Sequence, residues 1–560
     1  MLIAIVGALL RVQALSTGFA MDDWAQLAML EGAWPVERGA DELFVFANGS
    51  HDEHQRLLDR GSLPWWTDPE LKLSGMRPLS SWLIALDVRM FDHDPWRFHL
   101  HSLAWWLVLV LVVARLLLQI LPQRWALLAL ALWVLDECHG FPLAWLANRN
   151  AIVSACFGML AVSEHIRWRE HGGARWRSVI AWVLALAGGE YALCALGLLV
   201  AYELPRRDRI AGLAPALLVV LAWAVLYRLG GHGSFASGAY FDPAREPIAW
   251  LGAAIVRVPV LLGGMLLALP TGELALFPGT LWWQAVLGVL ATLGLLAAAR
   301  AAPEPSRVRW ASLATLLAML PVASSFLSAR LLLVPAITGH VVIAAVILHG
   351  LSATRARRVL AYLLLAIHVA LASVWSVLEL RAIADVGRRA QSLALGLPVD
   401  DRHVAEQRIV VLTANDPATL LYPPLVRHFV GGAPLPRAWW VLSLAPHPHR
   451  LRRVAIDAFE LDVEAGAMLT TPVEQLLRRG DRLPKQGDRI ALDGLVVDIV
   501  AVDAAGFPTT VRYTFDRPLE DPSLAFFLVA RRGFLRYPMG PIGASMPIPA
   551  GALPLELDVR

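Results

Sequence analysis

The sequence predicts a mainly α polytopic membrane protein of about eleven transmembrane helices, followed by a C-terminal mixed α/β domain outside the cytoplasm. Three observations predict it. Hydrophobic residues make up 57% of the 560 residues and charged residues only 17%, whereas a soluble domain is nearer half apolar and a quarter charged. The apolar excess is confined to residues 1–378, and residues 379–560 have a soluble composition. Short arginine-bearing loops recur between the apolar runs. A disordered chain is excluded, and an ordinary soluble enzyme does not fit.

The first apolar run, 1–15, lacks a basic leading region and a small-residue cleavage site, so it reads as a first span rather than a signal peptide. Further spans are expected near 98–120, 124–138, 149–166, 177–189, 191–203, 210–228, 281–299, 308–325, 331–350 and 359–378. Several are shorter than the ~20 residues that cross a bilayer comfortably. Arg124, Arg167 to Arg177, Arg206 to Arg209, Arg300 to Arg309 and Arg355 to Arg358 mark the cytoplasmic loops by the positive-inside rule. Gly188-Gly189-Glu190 is then an outward hairpin tip. The same parity leaves 248–269, which carries Arg257 and Pro259, without a crossing, either along the outer face or re-entering it. Residues 16–97 and everything after 379 lie outside the cytoplasm, and the membrane-embedded domain spans 1–378.

In the C-terminal domain, 380–396 continues the last helix. Arg408 to Leu412 reads as a strand, a turn follows, and a helix runs through Arg427. A hairpin at 490–502 around Asp493-Gly494, with further strands at 509–515 and 524–530, reads as a terminal antiparallel sheet. No nucleotide loop, catalytic triad or metal motif stands out there, and the domain reads as a lid or partner-binding module. The three cysteines, Cys138, Cys156 and Cys194, all lie in apolar segments, so no disulfide framework is expected. A net charge of +3 gives no reason to expect a nucleic-acid partner.

Chemistry is expected on the outer side, where loops are long and rich in acids, histidines and tryptophans. Asp22 and Asp23 follow the first span at the membrane surface. Partial dehydration there raises a carboxyl toward the range of a general base. Adjacent residues on a helix point ~100° apart, so one of the two faces a cleft. The bland alternative is a pair of acids favouring a helix N-terminus. Downstream come Met76-Arg77-Pro78, then Asp87 through His99 and His101 leading into the second span. Trp145-Leu146-Ala147-Asn148-Arg149-Asn150 opens the fourth span, Gly189-Glu190-Tyr191 forms the hairpin tip, and Ser328-Ala329-Arg330 precedes the tenth span.

This order of motifs resembles the GT-C class of polytopic glycosyltransferases, in the style of protein O-mannosyltransferase-like, transmembrane-TPR mannosyltransferase-like and aminoarabinose transferase-like proteins. It covers about residues 1–350. The resemblance implies a lipid-phosphate-linked sugar donor, a protein or glycan acceptor of unknown identity, and contact with membrane lipids in a bacterial inner membrane. It implies that Asp22 or Asp23 acts as the first-loop acid that activates the acceptor, or that helps hold a divalent metal where one is used. Arg77 matches the basic residue of the Arg-Pro element. Arg149 and Arg330 are outward cations for the departing phosphate, and His99, His101 and Glu190 are further candidates. Where relatives often carry Lys-Glu at the tip, this chain has Gly189-Glu190.

Each candidate also has a structural role available. Arginines at span ends snorkel to headgroups, His99 and His101 face different sides of one helix, and Trp65, Trp66, Trp82 and Trp96 fit an interfacial belt. His340 and His368 read as buried within spans, bonded to a neighbouring helix. The competing functional class is a non-catalytic membrane scaffold, or a lipid or polysaccharide transporter, displaying the C-terminal domain. The absence of an internal repeat weighs against the transporter.

Overall fold

The computed structural model describes residues 1–274, 277–414, 416–530 and 533–550. Its helices follow in chain order as α1 (Leu2–Leu10), α2 (Asp22–Leu30), α3 (His51–Arg60), α4 (Pro78–Phe91), α5 (Pro95–Ile120), α6 (Gln123–Leu135), α7 (Gly140–Ala144), α8 (Arg149–His171), α9 (Trp176–Gly188), α10 (Ala192–Glu203), α11 (Arg209–Leu229), α12 (Pro247–Leu267), α13 (Thr271–Leu274), α14 (Leu281–Ala299), α15 (Pro305–Val322), α16 (Pro335–Leu351), α17 (Arg355–Leu365) and α18 (Ala372–Leu395). Local chemistry sets several boundaries. Proline opens α4, α5, α12, α15 and α16, where its missing N–H costs nothing. The Asp94 side chain accepts the Trp96 N–H at the start of α5.

Among the described residues five helices are long and apolar enough to cross a membrane: α5, α11, α12, α14 and the continuous rod Arg355–Leu395. A sixth arises if α6 and the segment Glu137–Ala144, bent by 60°, count as one broken span. The remaining apolar helices are shorter. Residues 247–267 form the single helix α12, which has the length and composition of a crossing, so the expected outer segment belongs to one uninterrupted rod as far as Leu267. The Arg257 guanidinium donates to the Ala323 carbonyl at 3.0 Å and sits over the Phe241 ring.

Strands β1 (Val45–Ala47), β2 (Lys72–Ser74) and β3 (Gly233–Phe235) form a small antiparallel sheet. It ties the loop after α2 to the loop after α11, so both lie at one end of the bundle.

The C-terminal region packs on that same end. After α18 come β4 (Arg408–Val411), helices α19 (Pro417–Leu421) and α20 (Pro423–Gly431), and β5 (Ala438–Val441). Then follow β6 (His449–Arg453), β7 (Ala458–Val463), helix α21 (Pro472–Leu477), β8 (Arg489–Leu492), β9 (Leu495–Val502), β10 (Pro508–Phe515), β11 (Leu524–Ala530), β12 (Gly533–Arg536) and β13 (Ser545–Ile548). An antiparallel sheet of six strands, in the order β13-β6-β7-β10-β9-β8, holds the expected hairpin 490–502 and the strand 509–515, but the strand expected at 524–530 is not part of it: as β11 it lies in another sheet, where it pairs parallel with β4. A second sheet, β12-β11-β4-β5, was not expected. Its three strands β11, β4 and β5 run parallel, with α19 and α20 as the crossover between β4 and β5. β4 and β5 are buried throughout, so they show no alternation to read.

The first long loop belongs to this β layer. Leu57, Leu58, Trp65 and Trp66 share one hydrophobic core with Trp439, Trp440, Phe459, Tyr513 and their neighbours. The Trp65 indole donates to the Leu442 carbonyl at 2.9 Å and the Trp440 indole to the Leu58 carbonyl at 3.2 Å. Trp65 and Trp66 are therefore core residues rather than an interfacial belt, while Trp82 and Trp96 stay exposed.

Candidate functional site

The strongest polar constellation lies where α2, the loop before α8, the α9–α10 tip, the segment before α16 and α20 meet. It begins with a strained residue. Met21, the N-cap of α2, holds φ 49° and ψ −123°, a conformation that a side chain makes costly. The turn it makes separates the two acids that follow. Asp23 is buried, and its carboxylate accepts the Ala20 N–H at 2.9 Å and the Ala147 N–H at 2.7 Å. It pins the start of α2 to the loop before α8. Burial pushes its carboxyl up to about 7, against those two hydrogen bonds.

Asp22 turns the other way. It is half-buried, and the Tyr422 hydroxyl, from the turn into α20, donates to its Oδ1 at 2.5 Å. Burial raises its carboxyl too, opposed by that hydrogen bond and by the cations Arg330 and Arg77. The charge on Asp22 thus has a hydroxyl donor and two guanidinium groups in its field, without a direct ion pair to either.

Arg330 sits in the 3₁₀ turn Ala329–Leu332, only 7% exposed. Its guanidinium lies over the rings of Phe326, at 4.7 Å, and Trp145, at 5.4 Å. Its Nε is buried without a hydrogen-bond partner. Among the described residues no carboxylate comes within ion-pair distance of it. Tyr240, from the loop between β3 and α12, lies beside Arg330 and in the field of Asp22.

Arg77, just ahead of α4, donates from Nε to Glu190 Oε2 at 2.6 Å and stacks over Phe44 at 4.8 Å. Both members of that pair keep about a quarter of their side chains exposed. Ser80 and Ser154 hold the tip that carries Glu190, donating to the Gly188 and Gly189 carbonyls at 2.7 Å each. Gly189 has φ 150°, and a Cβ there would meet Asn150 Nδ2 at 3.1 Å. That crowding and that dihedral are the physical reason a lysine does not fit at the tip. Asn150 makes no hydrogen bond to protein through either side-chain atom, and Asn148 and the buried Tyr191 hydroxyl approach each other without meeting hydrogen-bond geometry. Asn150 thus sits at the same tip as Arg77, and Tyr191 lies in the field of Arg330 and Arg77.

The other candidates are not brought to this point. Arg149 is buried and ion-paired with Asp87 at 2.5 Å, and Asp87 also meets His101 Nδ1 at 2.6 Å. His101 in turn accepts the Trp105 indole N–H at 3.0 Å. The Arg149 charge is thus matched inside the protein. His99 is buried and bonded to Thr17, the Gly18 carbonyl and the Leu143 carbonyl, so it clamps the chain end of the first helical segment against the start of the α8 loop. Nothing in the sequence marks Asp87 as the partner of Arg149. Tyr422, Tyr240, Asn148 and Asn150 are the further polar residues that the structure adds to the site. No local signal marks the tyrosines, which reach Asp22 only through tertiary packing. The asparagines flanking Arg149 were visible as a polar triplet opening an apolar helix.

No protein-family model and no curated protein sequence matches the chain. Among solved structures the chain is similar to ArnT from Cupriavidus metallidurans bound to undecaprenyl phosphate, at 14% identity and a TM-score of 0.41, covering 79% of this chain and 89% of that one. It is also similar to the archaeal oligosaccharyltransferase AglB from Archaeoglobus fulgidus in complex with an inhibitory peptide and a dolichol-phosphate, at 13% identity and a TM-score of 0.41, covering 78% of this chain and 64% of that one.

Proposed function

We propose that this chain is an integral-membrane glycosyltransferase of about eleven passes. It moves a sugar from a polyprenyl-phosphate-type donor to an acceptor on the outer face of a bacterial inner membrane, with the C-terminal domain on that face. The observation that carries the reading is Asp22 in the electrostatic field of Arg330: a half-buried carboxylate that accepts a tyrosine hydroxyl, and a buried guanidinium with no carboxylate within ion-pair distance among the described residues. A polyprenyl phosphate is a good leaving group and needs no general acid. Asp22 takes the proton of the acceptor as the new glycosidic bond forms. Arg330 binds the phosphate that leaves, in the bidentate manner a guanidinium fork allows. Arg77, held by Glu190, adds a second positive charge beside the same space. Asp23 is a positioning residue in this scheme. Arg149, His101 and His99 serve the scaffold around it.

The test is transfer of labelled sugar from polyprenyl-phosphate donors in membranes containing the full-length chain. Asp22→Asn abolishes transfer while donor binding persists, because it removes the proton acceptor and keeps the shape. Arg330→Ala weakens binding of a polyprenyl phosphate by at least about tenfold, as expected for loss of a charge-assisted contact. Undiminished transfer by the Asp22→Asn protein would remove Asp22 from the mechanism, and no transfer by the wild type above empty membranes would leave the scaffold reading in its place.

A further inference from the structure

Three buried side chains from separate elements converge away from the Asp22 site. Asp136 follows α6 at the break that bends the chain by 60°. His340 lies in α16, and His368 lies in the π-helical turn Ala366–Leu371 between α17 and α18. One donor atom from each falls within 4.8 Å of the other two. All three residues are buried, and the two histidines are fully so.

The hydrogen bonds around the trio fix which atoms point inward. His340 Nδ1 lies 2.8 Å from the Ala336 carbonyl, which can only accept, so Nδ1 carries the proton. In the neutral ring Nε2 then presents a lone pair. That lone pair faces Asp136 Oδ2 at 3.4 Å, outside hydrogen-bond geometry. Asp136 Oδ1 accepts the Cys138 N–H at 2.9 Å, the Cys138 thiol is a further neighbour of the carboxylate, and Oδ2 is the oxygen that faces His340. His368 approaches the Leu266 carbonyl but meets hydrogen-bond geometry with no partner at either nitrogen. Its ring stands edge-on to His340 at 5.3 Å. Arg11 donates to the backbone carbonyl of Asp136 at 2.7 Å, with Glu379 as a further acidic neighbour, so it does not cover Oδ2.

Acceptors facing acceptors in a dry interior are satisfied by a cation. A carbonyl holding the far ring nitrogen and a backbone N–H holding the far carboxylate oxygen are the outer contacts that orient metal ligands. We infer that Asp136, His340 and His368 form a binding site for a divalent first-row transition metal of the zinc type. Two imidazoles and one carboxylate suit that class over calcium or magnesium. Ligand distances of about 2.0–2.1 Å place donor atoms about 3.4 Å apart, so binding draws the trio together by small side-chain rotations. The metal joins the α6 break to α16 and to the long C-terminal rod. Its location at a helix break and a π turn gives both irregularities one cause.

Full-length protein, purified in detergent with its affinity tag removed, is stripped with a chelator and exposed to Co2+ or Zn2+. We expect about one bound ion per chain after desalting, and with Co2+ the visible absorption bands of a low-symmetry nitrogen-oxygen site. His368→Gln and Asp136→Asn keep volume and polarity, and each lowers the affinity at least about tenfold while the protein stays monodisperse. If a variant fails to fold, metal-dependent thermal stabilisation of the wild type decides: Zn2+ raises its Tm, whereas Mg2+ does not. A folded wild type that takes up no ion and shows no such shift would overturn the site in favour of a buried His340–Asp136 ion pair. Unchanged uptake by folded His368→Gln and Asp136→Asn would overturn it equally.

Discussion

Asp22 and Asp23 are neighbours with one chemistry and two fates. Asp23 satisfies two backbone N–H groups and disappears into the interior, and Asp22 meets a tyrosine and the field of two arginines. The geometry gives a pH signature. A carboxyl raised by folding binds its proton more tightly in the folded chain than in the unfolded one, where its value is 3.8. The stability that Asp23 contributes is therefore complete below that value and is lost as pH rises to about 7. Thermal unfolding in detergent between those limits should show Tm falling with pH, with a smaller slope in Asp23→Asn. Equal slopes in both proteins would exclude the assignment. Asp22 acts in the opposite sense on rate, since a general base works deprotonated: activity rises with pH in a window above the ordinary carboxylate range. The acid pair, Arg77 and Arg330 were legible as residue types at a membrane face. Which acid faces the arginines was not, because the strained Met21 turn that separates them has no sequence signature.

At the scale of elements, α21 shows how a short helix is fixed and used. Thr471 and Glu474 form a capping box, with the Thr471 hydroxyl accepting the Glu474 N–H and the Glu474 carboxylate accepting the Thr471 N–H. The end of the same helix accepts hydrogen bonds from the other face of the molecule: the Gln475 carbonyl takes the Gly238 N–H and the Leu476 carbonyl takes the Ser237 hydroxyl. Arg479 adds an ion pair to Glu246, at the head of α12. Thr471→Ala should cost about 1 kcal/mol and speed amide exchange through 472–477 and 236–239 together. Faster exchange in the helix alone would mean the two segments are not coupled. The hairpin of β8 and β9 and the strand β10 were legible from alternation and from the Asp493-Gly494 turn, and β11 as a short apolar run. β5, β6 and β7 were not. β5 is buried on both faces, and β6 reads His-Arg-Leu-Arg-Arg, a charged run whose alternation only its partners β7 and β13 reveal.

At the scale of the whole molecule, the loop 51–74 is built into the C-terminal β layer. Arg482 bridges Asp68 and Glu70, the Asp68 N–H meets the Leu477 carbonyl, and the Trp65 indole fills the shared core. The two parts of the chain form one cap, and Tyr422 reaches Asp22 from within it. Trp65→Ala should cost about 3–5 kcal/mol by removing a buried aromatic and its hydrogen bond. It should also open the segment 55–74 to limited proteolysis and reduce transfer through the loss of the Tyr422–Asp22 contact. Protease resistance equal to the wild type would separate the loop from the cap.

The sequence by itself determined the membrane character, the position of the long polar loops and the arginines and acids available for chemistry. These follow from transfer free energies, which act residue by residue. Only the tertiary structure decided which charges are matched and which are left over. Arg149 and Arg330 are equivalent on the chain, each opening an apolar helix. One is neutralised by Asp87 and the other has no carboxylate within ion-pair distance among the described residues, because a Coulombic partner in a dry interior is chosen by a few ångströms of packing between segments far apart in sequence.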